Sequence, residues 1–95
     1  MQMHSPAHPG VILREHMGER LTVSEVARHL GITRANLSMI LNGRLGITAA
    51  TALKLSEAFP KSRAEFWLAL QSQYDLAKVR KQKRKKVEPL KAMAA

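Results

Sequence analysis

The stretch LTVSEVARHLGITRANLSMILNGR, residues 21–44, decides the fold of this chain. Thr22 and Glu25 have the spacing of a capping box, in which a hydroxyl and a carboxylate each accept a backbone N–H at a helix start. Gly31 stands where the helix would end, because glycine adopts a positive φ at little cost. Thr33 then supplies a new cap after a single intervening residue. The pattern predicts two short helices joined by a tight turn.

Apolar residues at helical spacing give each helix of this pair one face for the core. The first helix is expected to bury Val26 and Leu30, and the second to pack Leu37 and Ile40 against them. Two short helices joined so tightly cross at a steep angle, which requires a small residue such as Ala27 where the backbones approach. The opposite face of the second helix is therefore free to contact a partner.

The outward residues of the second helix suit the edges of DNA bases. A major groove is wide enough to admit a helix, and an arginine there can donate two hydrogen bonds to guanine. Arg34 has this position in the first turn, beside Ala35, which is small enough to permit close approach. One turn later Ser38 can bond a base edge and Met39 can cover a thymine methyl group. These four residues are the predicted base contacts.

Phosphate contacts are expected from polar residues around the same helix, because such contacts fix the register of a protein on a duplex without reading its sequence. The residues predicted for this role are Thr33, Asn36, Asn42 and Arg44. The competing interpretation is a pair of packed helices in a protein-interaction domain.

Three further helices are predicted outside this pair, and no segment has the pattern of a strand. The first runs from Pro9 to about Met17, since proline is favoured in a first helical turn. Thr48 is expected to cap a helix that continues to Phe59. The run Ser62-Arg63-Ala64-Glu65 has the spacing of another capping box and would start the last helix. The predicted fold class is therefore all-α, with five helices.

The chain has 95 residues, enough for one domain. That domain is predicted over residues 9–80, with a flexible arm over 1–8 and a basic, disordered tail over 81–95. The net charge is +9, and the segment 78–91 holds eight cations and one anion, an excess of seven, so only +2 remains for the rest. Basic tails bind nucleic acid, whereas chain ends are commonly disordered. Disorder in the free protein with non-specific DNA contact is the expectation for the tail.

Several function classes are excluded at this level. The chain has no cysteine, so disulfides and thiolate zinc sites are absent. The histidines lack acidic partners at ligand spacing, so neither a metal nor any other cofactor is expected, and no catalytic group of residues predicts an enzyme. No apolar run approaches the roughly 18 residues of a membrane span, and no secretory signal is recognised. A cytoplasmic protein without a membrane partner is expected. The histidines are His4, His8, His16 and His29.

With these residues in place, the chain resembles the phage-repressor-like (XRE) helix-turn-helix family, and within it the HigA/VapI-type antitoxins. The resemblance covers about residues 8–80, and the order and spacing of its motifs are specific. The matching segments are residues 8–15 (HPGVILRE), 21–44, 47–55 (ITAATALKL), 65–71 (EFWLALQ) and 74–76 (YDL).

The resemblance implies an antitoxin that pairs with an mRNA-cleaving toxin and, as a homodimer, represses their shared operon from a palindromic operator. The dimer contact would lie in the last helix, with Trp67, Leu70 and Tyr74 as candidates, although Trp67 could equally fill the core. Two alternatives remain: a module that neutralises a toxin by direct contact, and a stand-alone phage-type regulator. The DNA contacts implied by the family are Thr33, Arg34, Ala35, Ser38, Met39 and Asn42.

Overall fold

Five α-helices make up the part of the chain that the computed structural model describes, residues 6–91. No strand is present in that range, which confirms the all-α prediction. Residues 1–5, with His4 among them, and 92–95 lie outside the described part. The helices are α1 (Pro9–Met17), α2 (Val23–Leu30), α3 (Arg34–Leu41), α4 (Ala49–Ala58) and α5 (Ala64–Arg80).

The predicted helix caps at three threonines are confirmed. Glu25 donates its backbone N–H to the Thr22 hydroxyl over 3.1 Å, and the Glu25 carboxylate accepts the Thr22 N–H over 2.9 Å. The hydrogen bond from the Thr22 backbone, followed by that from its hydroxyl, lowers the pKa of Glu25. Thr33 and Thr48 cap α3 and α4 through their hydroxyls in the same way. These caps fix where the chain enters each helix.

The capping box predicted at residues 62–65 is wrong. The N-cap of α5 is Arg63, which makes no side-chain cap bond, and Ser62 is buried with its hydroxyl 2.8 Å from His16 Nε2. His16 Nδ1 lies 3.0 Å from the carbonyl oxygen of Ile12. Because a carbonyl only accepts, Nδ1 carries the proton of the neutral ring, and Nε2 accepts from Ser62. The serine hydroxyl therefore ties α1 to the start of α5 and is not available as a cap.

Side chains from all five helices form one core around Trp67, which is fully buried. Helix α3 packs against α1 and α2, and α5 packs against α4 and α1. The Trp67 ring lies edge-on to His16 with ring centroids 5.1 Å apart. The core interpretation of Trp67 is confirmed, and its prediction as a dimer contact is wrong, because this side chain has no surface to offer a second subunit.

Helix α5 ends at Arg80, and the described residues beyond it, 81–91, form no further helix and are exposed. Within residues 6–91 no helix is both long and apolar enough to cross a bilayer.

Candidate nucleic-acid interface

The turn between α2 and α3 has the geometry that its glycine predicts. Gly31 has φ +73° and ψ 32°, in the left-handed region, where an L-residue with a Cβ is strained. The N–H of Ile32 donates to the carbonyl of Ala27 over 3.0 Å, which completes the end of α2. Ala27 is only 2% exposed, so this small residue lies in the core. The turn thereby starts α3 directly after α2, and the two helices pack against each other.

One face of α3 is buried and the other is open to solvent. Leu37, Ile40 and Leu41 pack into the core. The opposite face carries residues spaced by three or four positions, which therefore share one side of the helix. We call this face the recognition surface: Arg34, Ala35, Ser38, Met39 and Asn42.

The structure brings the predicted DNA contacts together around this surface. Ser38 is half-buried, and Met39 is 41% exposed. The other predicted residues are exposed, and the set contains two arginines and no acidic residue, so its charge suits a polyanion. These exposed residues are Thr33, Arg34, Ala35, Asn36, Asn42 and Arg44.

Ser24 is a site residue that the sequence analysis missed. Arg34 donates from Nε to the Ser24 hydroxyl over 3.0 Å, which joins the first turn of α2 to the first turn of α3. A guanidinium has five N–H donors, so this bond leaves the two terminal nitrogens for an external acceptor. The contact depends on how the two helices cross, and only their crossing geometry could have revealed it.

The far end of the recognition surface is fixed by the loop after α3. Asn42 donates from Nδ2 to the Ser38 hydroxyl over 3.4 Å. The chain then reverses at Gly43, which has φ +76°. The N–H of Arg44 donates to the carbonyl of Met39 over 2.8 Å. Arg44 is therefore held next to the last turn of α3.

The other predicted dimer contacts, Leu70 and Tyr74, are half-buried in the protomer. Tyr74 lies edge-on to His8 with ring centroids 4.8 Å apart. A different set of α5 residues faces solvent at helical spacing, and Leu76 and Val79 are 47% and 45% exposed. We call this set the α5 stripe: Leu68, Ser72, Leu76 and Val79.

Two of the histidines contribute to packing. His8 and His16 both contact aromatic rings, and His29 is exposed on α2. Within residues 6–91 no three His, Asp or Glu side chains come together in a way that could hold a metal ion.

A short α2, a glycine turn and an outward-facing α3 define a helix-turn-helix protein. The helix-turn-helix family model matches residues 13–66, which is more than half of the chain. The chain belongs to this helix-turn-helix family.

Individual relatives extend the similarity over most of the chain. Virulence-associated protein A' of Dichelobacter nodosus is 47% identical over 90 residues, which are 94% of this chain and 78% of the relative. An addiction module antidote protein of the HigA family from Coxiella burnetii is 42% identical, with a TM-score of 0.74, covering 79% of this chain and 83% of that one.

A third similar protein was solved with DNA. The antitoxin HigA of Pseudomonas aeruginosa with its higBA promoter is 36% identical, with a TM-score of 0.72, and the match covers 78% of this chain and 82% of that one. These matches confirm the resemblance to the XRE family and to its HigA/VapI-type antitoxins.

Proposed function

We propose that this protein is an antitoxin that binds its own operator as a homodimer and represses transcription of its operon. The observation that carries the proposal is the exposed face of α3, held away from the core by the Gly31 turn and free of acidic residues. The similar HigA from Pseudomonas aeruginosa, solved with its promoter, supports DNA as the partner of this face.

In the proposed complex α3 lies in the major groove with its N-terminal end against the base edges. Arg34 donates from its terminal nitrogens to guanine O6 and N7, while Ser24 holds Nε. Ser38 bonds a base edge and Met39 covers a thymine methyl group, next to the small Ala35. Phosphates are bound on either side of these base contacts by Thr33, Asn36, Asn42 and Arg44.

A homodimer would place two such helices on a palindromic site. We assign the contact to the α5 stripe, because its apolar side chains are exposed while Trp67 is buried. The half-sites would then be about 34–36 Å apart, one turn of duplex, or a multiple of that distance.

The second partner in the proposal is a toxin that cleaves mRNA. Relatives described as an antidote protein and an antitoxin support a toxin as a partner. Binding of DNA and of the toxin accounts for the function without any catalytic step, and it is proposed to take place in the cytoplasm.

Footprinting of purified protein on the promoter upstream of its own gene tests the proposal. We expect protection of a palindrome with two half-sites, and weaker binding to a scrambled duplex of equal length. Equal affinity for both duplexes would contradict sequence-specific repression. Co-purification with the product of the adjacent reading frame separates an antitoxin from a stand-alone regulator.

A further inference from the structure

His8 caps the first helix with its ring. The backbone N–H of Gly10 donates to His8 Nδ1 over 2.9 Å, and Pro9 occupies the first helical position. The His8 side chain is almost completely buried, with the residue only 8% exposed. Serine, threonine, aspartate and asparagine are the usual caps, so a buried imidazole is an unusual cap.

The same ring contacts two other parts of the molecule. It lies near the backbone of Leu45, which raises the pKa of the ring, and it packs so near Gly43 that an added Cβ there would be 3.8 Å from His8 Cγ. On a further side it meets the Tyr74 ring at an interplanar angle of 83°. His8 thus joins α1 and α5 to residues 42–48, which we call the α3–α4 loop.

The start of α1 also packs directly on the last turn of the recognition helix. A Cβ added to Gly10 would overlap the carbonyl oxygen of Ile40 and would come within 3.0 Å of Leu41 Cα. The N-terminal turn of α1 therefore supports both the end of α3 and the loop that follows it. Arg44, a predicted phosphate contact, lies in that loop between the two residues that His8 contacts.

We propose that His8 is a positioning residue for DNA recognition, because its neutral ring holds the α3–α4 loop and the end of α3 in the orientation that operator binding requires. The proposal rests on the proposed function and adds to it a residue that touches no DNA. It also makes operator binding sensitive to acid.

The two ring nitrogens have distinct and necessary roles. Nδ1 must be unprotonated to accept from Gly10, so the proton of the neutral ring lies on Nε2, which can donate to the Leu45 carbonyl. A second proton on the ring would sit on Nδ1 and point at the N–H of Gly10, so the hydrogen bond that caps α1 would be lost. The neutral ring is therefore the form that fits this site.

The surroundings of His8 favour that neutral form. Burial is the largest effect on the pKa of His8 and lowers it. Two charged residues of α5 act on the ring in opposite directions: Asp75 raises its pKa and Lys78 lowers it. The α3–α4 loop contributes the exposed Arg44. Above pH 6.5, the ordinary value for histidine, the contact is complete, and it is lost as the pH falls toward the lowered pKa.

The first test compares His8→Asn with His8→Ala in binding to the operator and to a random duplex. Asparagine keeps an acceptor for the N-cap but lacks the contacts with Leu45 and Tyr74. We expect His8→Asn to stay folded and to lose roughly 2- to 30-fold in operator affinity relative to the random duplex. The matched control is His29→Gln, an exposed histidine on α2, which should bind as the wild type. Wild-type affinity in both His8 variants would overturn the proposal.

The second test is the pH profile of the ratio between operator and random-duplex affinity, from about pH 7.5 to about pH 5.5. The wild type and His29→Gln should lose discrimination as the pH falls, whereas His8→Asn should show a flat profile. An unchanged acid response in His8→Asn would assign the effect to another group and overturn the proposal.

A third measurement needs no DNA, and it separates failure of this inference from failure of the proposed function. In the free protein, NMR should show the amides of residues 43–46 shifting with the same midpoint as the His8 ring. If they do so but no duplex is bound specifically, the proposed function fails while the contact of His8 with the loop stands. If the operator is bound but these amides do not follow His8, the positioning role is wrong.

Discussion

Gly10 shows how strictly one residue can be set by its neighbours. Its position has no room for a Cβ, because the backbone of Ile40 occupies that space. Alanine is a better helix former than glycine by about 1 kcal/mol, but it would force α1 away from α3. The overlap with backbone atoms, which do not move aside as a side chain does, decides the outcome.

We predict that Gly10→Ala lowers the free energy of unfolding by about 1–3 kcal/mol, the usual cost of overpacking. Urea unfolding followed by circular dichroism measures the change. Gly46→Ala is the comparison, since the three atoms nearest to a Cβ there, at 3.1–3.2 Å, all belong to the Gln71 side chain and none to the backbone; we expect a smaller loss from it. A Gly10→Ala variant as stable as the wild type would show that the overlap with Ile40 is relieved without cost and would contradict the prediction.

Arg34 is the residue on which recognition of the DNA base sequence is predicted to depend most. Arg34→Ala should lower operator affinity by about 1–3 kcal/mol and relax the preference at one base pair. Ser24→Ala should have a smaller effect in the same direction, because it frees the guanidinium without removing it. Competition binding on operator and random duplexes measures both, with the exposed Arg28→Ala as control. An equal loss on both duplexes would assign Arg34 to phosphate contact alone.

At this scale the sequence predicted the side chains that act within one helix. The caps at Thr22, Thr33 and Thr48 depend on spacings of three residues, which can be recognised directly. Ser62 was misassigned because its partner, His16, is 46 positions away in the chain. The contact of Ser24 with Arg34 was missed for a similar reason, since it requires the crossing of two helices.

Among the elements, α5 was the hardest to interpret from the sequence. Apolar residues occur on every side of this helix, so periodicity did not separate its buried face from its free one. The structure does so: Trp67 points into the core, whereas Leu68 and Leu76 are exposed. The paired helices α2 and α3 were predictable because each has one apolar face and a cap at its start.

We predict that Leu76→Glu, in the α5 stripe, raises the dissociation constant of the proposed dimer at least about tenfold, because a charge would be buried between two apolar surfaces. Sedimentation equilibrium gives the monomer fraction, and operator affinity should fall with it. Gln73→Glu adds the same carboxylate on an exposed position outside the stripe and should leave the dimer intact. A monomeric wild type, or an unaffected Leu76→Glu dimer, would contradict the assignment.

The whole molecule is asymmetric in charge, since most of the net charge lies in the segment 78–91. This segment begins near the proposed DNA-facing side. Lys78 Nζ is 5.9 Å from the centre of the Tyr74 ring, which packs on His8, and His8 contacts the α3–α4 loop. The charged segment therefore begins close to the loop that carries Arg44.

Removal of the residues after Arg80 should flatten the salt dependence of DNA binding. The plot of log K against log salt has a negative slope, and each lost phosphate contact reduces the magnitude of that slope by about 0.9. The random duplex and the operator duplex should be affected alike. A variant with Lys83, Lys85 and Lys86 changed to glutamine keeps the length of the tail and should have a partial effect. An unchanged slope in the truncated protein would show that the tail makes no phosphate contact.

Trp67 gives this protein an internal optical probe. It is the only tryptophan in the chain, and it is fully buried in the core beside the His16 imidazole, whereas the recognition surface is largely exposed. Its fluorescence should therefore be blue-shifted in the native state and move to the red as the core opens to water. Titration with a duplex should leave that emission almost unchanged, so a single wavelength can report unfolding without interference from bound DNA.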